Sequence, residues 1–267
     1  MLCDFHLHSR FSGDCEAAPE AIVRQAVKLN MKAFCITDHL DMDFPGDLNF
    51  DLDQNAHFTY WKDMQALAKK DGLDVCIGME TGLEPYLSER LKAAVHKYPY
   101  DFIIGSSHLV HRQDPYYPEY FAGREEAAVY REYFESILEN LKVCHDFDVY
   151  GHIDYIVRYG PNKNKFYSYE AYREIIDEIL RILISLGKGI ELNTGGFTSG
   201  LGMPNPCPEI IKRYRELGGE IITVGSDAHD AVKIGHHFTE AREILLDAGF
   251  RYYCIFKERK PVFLPVN

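Results

Sequence analysis

Short apolar runs alternate with amphipathic segments along most of this chain, and that alternation limits the fold more than any other feature. The runs AFCIT (33–37), VCIGM (75–79), FIIGS (102–106), DVYGH (148–152), GIELN (189–193) and IITVGSD (221–227) read as buried strands, and MLCDFH (1–6) as the first of the series. Between them, 18–30, 125–143, 169–187 and 209–219 place apolar residues at helical spacing, and the last two end in glycine. Strands that are apolar throughout and separated by helices indicate a parallel sheet covered on both faces. About seven such β-then-α units in a chain of 267 residues favour a closed α/β barrel of the TIM type, occupying 1–267 as one domain. The longer irregular stretches, 40–55, 109–122, 155–168 and 194–208, each follow a strand. They therefore belong to the face where barrel active sites form.

The formal net charge is −12 and no dense Lys/Arg run is present, which argues against a nucleic-acid binder. No apolar run is long enough to span a bilayer, so no membrane partner is expected. The seven cysteines are odd in number and include no C-x-x-C, as expected of a reducing cytoplasm. The sequence leaves the oligomeric state open.

Nearly every expected strand ends in a metal-ligand residue type. His6 and His8 close the first, Asp38 and His39 the second, Glu80 the third, His108 the fourth, His152 the fifth, Asp227 and His229 the seventh. Barrel closure brings all these strand ends to one mouth. Imidazole nitrogen and carboxylate oxygen together suit divalent Zn, Mn or Fe, and a carboxylate can bridge two ions. His6 and His8 alternate by two and so share one side of a strand. His57, His96, His145, His236 and His237 stand in helical or loop contexts and read as structural; His111 sits on a mouth loop.

In these segments the chain resembles the polymerase and histidinol phosphatase (PHP) superfamily: FHLHS (5–9), TDH (37–39), GMET (78–81), SSH (106–108), GHIDY (151–155) and SDAH (226–229), in family order. HLHSRFSGD (6–14) is most similar to the histidinol-phosphate phosphatase branch. The resemblance implies a distorted (β/α)7 barrel with a centre of two to three divalent ions at the C-terminal strand ends. His6, His8, Glu80 and Asp227 would hold the first ion, and Glu80 would bridge to a second completed by His108 and His152. His39, His229 and Asp14 would hold the third; Asp14 stands where some family members carry histidine.

A hydroxide shared by two such ions would attack the phosphorus of a small phosphorylated metabolite, L-histidinol phosphate by the resemblance, in a step of histidine biosynthesis. Arg158 and Arg10 are the candidate phosphate clamps, with Ser9 as a hydrogen-bond donor to the same group. Asp227 or His229 would protonate the leaving alkoxide. Glu191 and Asn193 are candidate supports behind the ligands. The loop LVHRQDPYYPEYF (109–121) carries aromatic and acidic residues suited to an imidazole and an ammonium group. The alternatives are a PHP-type phosphodiesterase or nuclease, a phosphatase of another small monoester, a metal-dependent isomerase or amidohydrolase, and a binding scaffold with a degenerate centre. The nuclease conflicts with the charge, and the scaffold with a competent ligand at every position.

Overall fold

A computed structural model describes residues 3–266. Its strands are β1 (Ala33–Ile36), β2 (His39–Leu40), β3 (Asp74–Gly82), β4 (Phe102–Ser106), β5 (Val149–Tyr150), β6 (Gly189–Asn193) and β7 (Ile222–Gly225). They form one parallel sheet in the order β1-β3-β4-β5-β6-β7, with β2 also on β3.

The N-terminal segment closes this sheet into a ring. On one side, Cys35 N donates to Asp4 O and Thr37 N to Leu7 O, each at 2.8 Å; on the other, Phe5 N donates to Val224 O and Asp227 N to His6 O, each at 2.9 Å. The expected first strand is therefore present in position but not in regularity, being two isolated parallel bridges, Asp4–Phe34 and Leu7–Ala228. Side chains intrude on its ladder. The Asp4 carboxylate accepts from Ser226 N at 2.9 Å and Gly235 N at 3.0 Å, and Thr37 Oγ1 accepts from Leu7 N at 3.1 Å. Met1 and Leu2, included in that expected strand, lie outside the described residues.

Counting the N-terminal segment, the ring has the seven positions of a distorted barrel. Around it run α1 (Pro19–Lys28), α2 (Gln54–Ala68), α3 (Ser88–Val95), α4 (Glu126–Leu141), α5 (Arg173–Ser185), the single-turn α6 (Gly195–Thr198), α7 (Pro208–Glu216) and α8 (Phe238–Asp247). A hairpin of β8 (Tyr252–Lys257) and β9 (Lys260–Pro265) forms a separate two-stranded sheet packed on the ring, with Phe256 stacked on Phe102 at 4.9 Å. The ring strands are buried on both faces because helices cover the outside and side chains fill the inside. Phe5, Leu7, Phe34, Ile36, Phe102, Ile104, Ile190 and Val224 are all inaccessible to solvent. The described cysteines are all buried and unpaired, behaving as small core residues. Among the described residues, no helix is long and apolar enough to cross a membrane.

One buried carboxylate ties two outer helices together. Asp177 of α5 accepts from Arg213 of α7 at 3.0 and 2.7 Å, and from Arg181 at 2.9 Å. The Arg213 bond in particular holds the Asp177 carboxyl down at about 2. Its stabilisation is thus fully present above the unfolded carboxylate pKa of about 3.9 and is lost as pH falls toward 2. Asp177→Asn is expected to cost about 1–2 kcal/mol at pH 7 and to flatten the stability profile below pH 4. Urea unfolding of both proteins at pH 7 and pH 3 checks this; equal losses at the two pH values would exclude the ion pair as the cause.

Candidate metal centre

The strand ends deliver their polar side chains to one buried cluster built around Glu80. Glu80 is inaccessible to solvent. Its Oε1 lies 2.8 Å from His152 Nε2, 3.1 Å from His108 Nε2 and 2.7 Å from Ser106 Oγ, which donates to it. Its Oε2 lies 3.0 Å from His6 Nε2, 3.2 Å from His39 Nδ1 and 3.5 Å from His8 Nε2. Each carboxylate oxygen thus faces its own set of imidazoles. Burial opposes charge on Glu80, but His6, His108 and His39 outweigh it and hold the carboxyl well below its ordinary range.

His6 is gripped from both ends, with Nδ1 2.6 Å from Glu191 Oε1 and Nε2 facing Glu80. Burial lowers its pKa, yet Glu191, Glu80 and Asp227 raise it well above the usual value. The approach of His6 to Glu191 is possible because residue 225 is glycine. A Cβ there would sit 2.2 Å from His6 Cβ and 2.4 Å from Glu191 Oε1. Glu191 Oε2 also accepts from Asn193 Nδ2 at 3.1 Å. The two residues read as supports behind the ligands therefore contact one another and His6.

Hydrogen bonding fixes the tautomer of His8. Ser12 Oγ donates to Asp38 Oδ1 at 2.8 Å and accepts from His39 N at 3.0 Å. Its one proton is committed, so at the 3.1 Å contact His8 Nδ1–H is the donor. The Nε2 lone pair is left facing the cluster. Burial, with His229 and His39 nearby, lowers the His8 pKa to about 3, which keeps that lone pair free at neutral pH.

Asp227 adopts a left-handed backbone, φ 55°, which points its carboxylate back at the cluster, 3.3 Å from His8 Nε2 and 3.6 Å from His6 Nε2. At the outer rim, Asp14 Oδ2 lies 3.2 Å from His229 Nε2 and 3.8 Å from His39 Nε2. The His8 ring stacks between His39 and His229, at centroid distances of 4.3 and 4.2 Å.

Divalent cations suit this arrangement. His8 Nε2, His39 Nδ1, Asp41 Oδ2 and His229 Nε2 are buried with no aligned hydrogen-bond partner among the described residues, a costly state that a cation relieves. Ligand atoms of His6, His8 and Glu80, of Glu80, His108 and His152, and of His8, His39 and His229 each fall within 4.8 Å of one another. So do those of His39, Asp41 and His108. Asp41 escaped the sequence reading, although it stands two residues after His39 and so shares that side of the chain. Its Oδ1 lies 2.6 Å from His108 Nδ1. A Cβ at residue 82 would sit 2.0 Å from that oxygen, so Gly82 makes room for the contact.

Two of the expected phosphate contacts are redirected. Ser9 is inaccessible and its hydroxyl donates to Asp38 Oδ2 at 2.8 Å, so its proton is already used. Arg10 is exposed, with its guanidinium 5.1 Å from the ring centre of Tyr60 on α2, away from the mouth. Arg158 does face the mouth. Its Nε, Nη1 and Nη2 each donate at 2.8 Å, to Asn205 Oδ1, Asp227 Oδ2 and Asn193 Oδ1. His57, read as structural, is buried with Nε2 3.2 Å from Asp38 Oδ2, while His111 is exposed beside Glu139.

Two hollows flank the cluster. One, of 250 Å³, is walled by Arg158, Gly195, Thr198, Lys233 and His236, together with Asp227 and His229. The other, of 330 Å³, has His39, Asp41 and His108 at its base and Phe44, Phe50, Asp114, Tyr116 and Tyr117 around it. Lys233 and His236 carry no strand-end signal, and sequence reading missed them.

The model of the PHP domain matches residues 4–195, most of the chain. The chain belongs to the PHP family. That span includes His6, His8, Asp14, His39, Glu80, His108 and His152; Asp227 and His229 lie beyond it, just after β7. Among similar proteins, a histidinol-phosphatase of Lactococcus lactis subsp. lactis is 31% identical, over 96% of this chain and 95% of its own. A probable histidinol-phosphatase of Clostridium acetobutylicum is 34% identical, over 90% and 91%. A crystal structure of histidinol phosphate phosphatase from L. lactis subsp. lactis, complexed with zinc, L-histidinol and phosphate, superposes with a TM-score of 0.89 at 30% identity, covering 98% of each chain.

Proposed function

We propose that this PHP barrel is a metal-dependent phosphomonoesterase that converts L-histidinol phosphate and water to L-histidinol and phosphate, in histidine biosynthesis. The observation that carries this is the full-length likeness to a histidinol phosphate phosphatase holding zinc, L-histidinol and phosphate. The ring of donors around Glu80 supports it, because every position expected to hold a ligand carries one and they converge.

His6, His8, Glu80 and Asp227 would hold one ion, Glu80 with His108 and His152 a second, and His39, His229 and Asp14 a third. Asp41 stands beside His39 and His108 as a further donor. When bound, divalent ions supply Lewis-acid neutralisation of phosphoryl charge and a more acidic water. Arg158 presents its remaining N–H groups to the small hollow, where Lys233 adds positive charge for a phosphate. Proton delivery to the leaving alkoxide falls to Asp227 or His229. With Nε2 on an ion, His229 would keep a proton only on Nδ1, which lies 3.1 Å from Asp227 O.

The test is phosphate release from L-histidinol phosphate, an aryl phosphate and a dinucleotide, with the protein loaded with Zn or Mn and again after chelation. L-Histidinol phosphate should lead by at least about tenfold in kcat/KM. Chelation should abolish turnover and either metal restore it. Preference for the dinucleotide would move the chain to a phosphodiesterase role. Equal, feeble rates on both monoesters would remove histidinol phosphate as the substrate.

A further inference from the structure

We infer that Asp114, on the loop after β4, receives the ammonium group of the substrate and sets the preference for an amino alcohol. This rests on the proposed phosphatase function and names a residue for its unphosphorylated half. The two hollows flanking the cluster differ in charge. The smaller carries Arg158 and Lys233, whereas the larger has no lysine or arginine in its lining and holds Asp114 among aromatic rings. A substrate with a phosphate on one carbon and an ammonium group on the next fits this division in one orientation only, with phosphate toward Arg158.

Asp114 is placed to serve as a receptor. Its Oδ1 accepts from Tyr116 N at 2.8 Å, which fixes the carboxylate, and Oδ2 has no hydrogen-bond partner among the described residues. The side chain is half-buried, and burial raises its carboxyl above the ordinary range, so the hollow holds an acid that an arriving cation would relieve. No ion pair joins it to another described residue within 4.0 Å.

The chemistry of the amino alcohol assigns its two groups to different parts of the hollow. An aliphatic amine is cationic at neutral pH, while an imidazole with a pKa near 6.5 is mostly neutral. The amine is therefore the group that needs a carboxylate. It sits on the carbon next to the phosphorylated one, and so lies near the cluster, where Asp114 shares the hollow with His108 and Asp41. The imidazole extends one carbon further, toward Tyr116 and Tyr117. These rings meet edge-on at 5.4 Å and are largely exposed, leaving faces on which a heteroaromatic ring can stack.

The experiment compares L-histidinol phosphate with its desamino analogue, 3-(imidazol-4-yl)propyl phosphate, on the wild type and on Asp114→Asn. Asparagine keeps the Oδ1 acceptor for Tyr116 N, so the loop is retained. The wild type should favour the amine-bearing substrate by about 10- to 100-fold in kcat/KM. Asp114→Asn should shrink that ratio to within about threefold, chiefly through a higher KM for the amine-bearing substrate. A ratio that survives in the variant overturns the assignment. So does a wild-type ratio near one, in which case the phosphatase function stands and only the ammonium site falls. A wild type that cleaves an aryl phosphate but neither imidazole ester overturns both.

Discussion

Glu80→Gln is expected to lower kcat/KM by at least about a thousandfold while leaving the barrel folded. The two effects separate because of how the cluster is wired. For catalysis, Glu80 is the only described residue whose two oxygens face imidazoles from four different segments: the N-terminal segment, β2, and the chain just after β4 and β5. Glutamine keeps the volume, removes the charge, and turns one acceptor into a donor aimed at imidazole nitrogens. For folding, the charged histidines that face Glu80 each retain a second acid. His6 keeps Glu191 at 2.6 Å, His108 keeps Asp41 at 2.6 Å, and His39 keeps Asp41 at 3.3 Å. No buried cation is stranded, which is the usual cause of a large loss on breaking a buried pair. Circular dichroism and a thermal melt should therefore stay near wild type while bound metal and turnover fall together. Near-normal turnover in a folded, metal-loaded variant would show that Glu80 is not the bridging residue.

The cluster was legible in sequence because of where it sits. A ligand-type residue directly after an apolar run, repeated along the chain, has a definite destination once the strands close into a ring. The same principle explains what was missed. Asp41 lies in a stretch with Asp43, Asp47 and Asp51, where no periodicity separates the acid that turns inward from those that stay in water. Ser9 and Arg10 are adjacent to His8 in sequence, but beyond the strand end the direction of a side chain follows local hydrogen bonds. Asp38 takes Ser9, and the Tyr60 ring takes Arg10. Lys233 and His236 reach the mouth through the loop after β7 and carry no pattern of their own. Among the helices, α2, α3, α6 and α8 have no counterpart in the helical segments read from sequence, and α2 mixes aromatic, polar and apolar types with little segregation. Its start is nonetheless marked by Asp53, whose carboxylate accepts from Asn55 N and Ala56 N. The β8–β9 hairpin follows the last barrel unit and breaks the alternation from which the fold was read.

Arg158→Ala is expected to lower kcat/KM for L-histidinol phosphate by about thirty- to a thousandfold, equivalent to about 2–4 kcal/mol at the transition state. Two roles would produce such a loss, and the geometry allows them to be told apart. Arg158 is held by Asn205, Asp227 and Asn193, and its guanidinium lies 5.3 Å from the centre of the Tyr155 ring. The held fork is ordered before substrate arrives, so a phosphate gains its contacts at little entropic cost. The same bond to Asp227 also steadies a candidate ligand. If the fork acts on phosphate, Arg158→Ala weakens inhibition by inorganic phosphate in step with the loss of kcat/KM, while metal content is unchanged. If it acts only through Asp227, metal content falls and the inhibition constant of the loaded enzyme stays where it was. Arg158→Lys sharpens the distinction. Lysine restores a positive charge but cannot span Asn193, Asp227 and Asn205 together, so it should recover less than about a tenth of wild-type kcat/KM. Full recovery by lysine would reduce Arg158 to a point charge in the hollow and remove the fork from the mechanism.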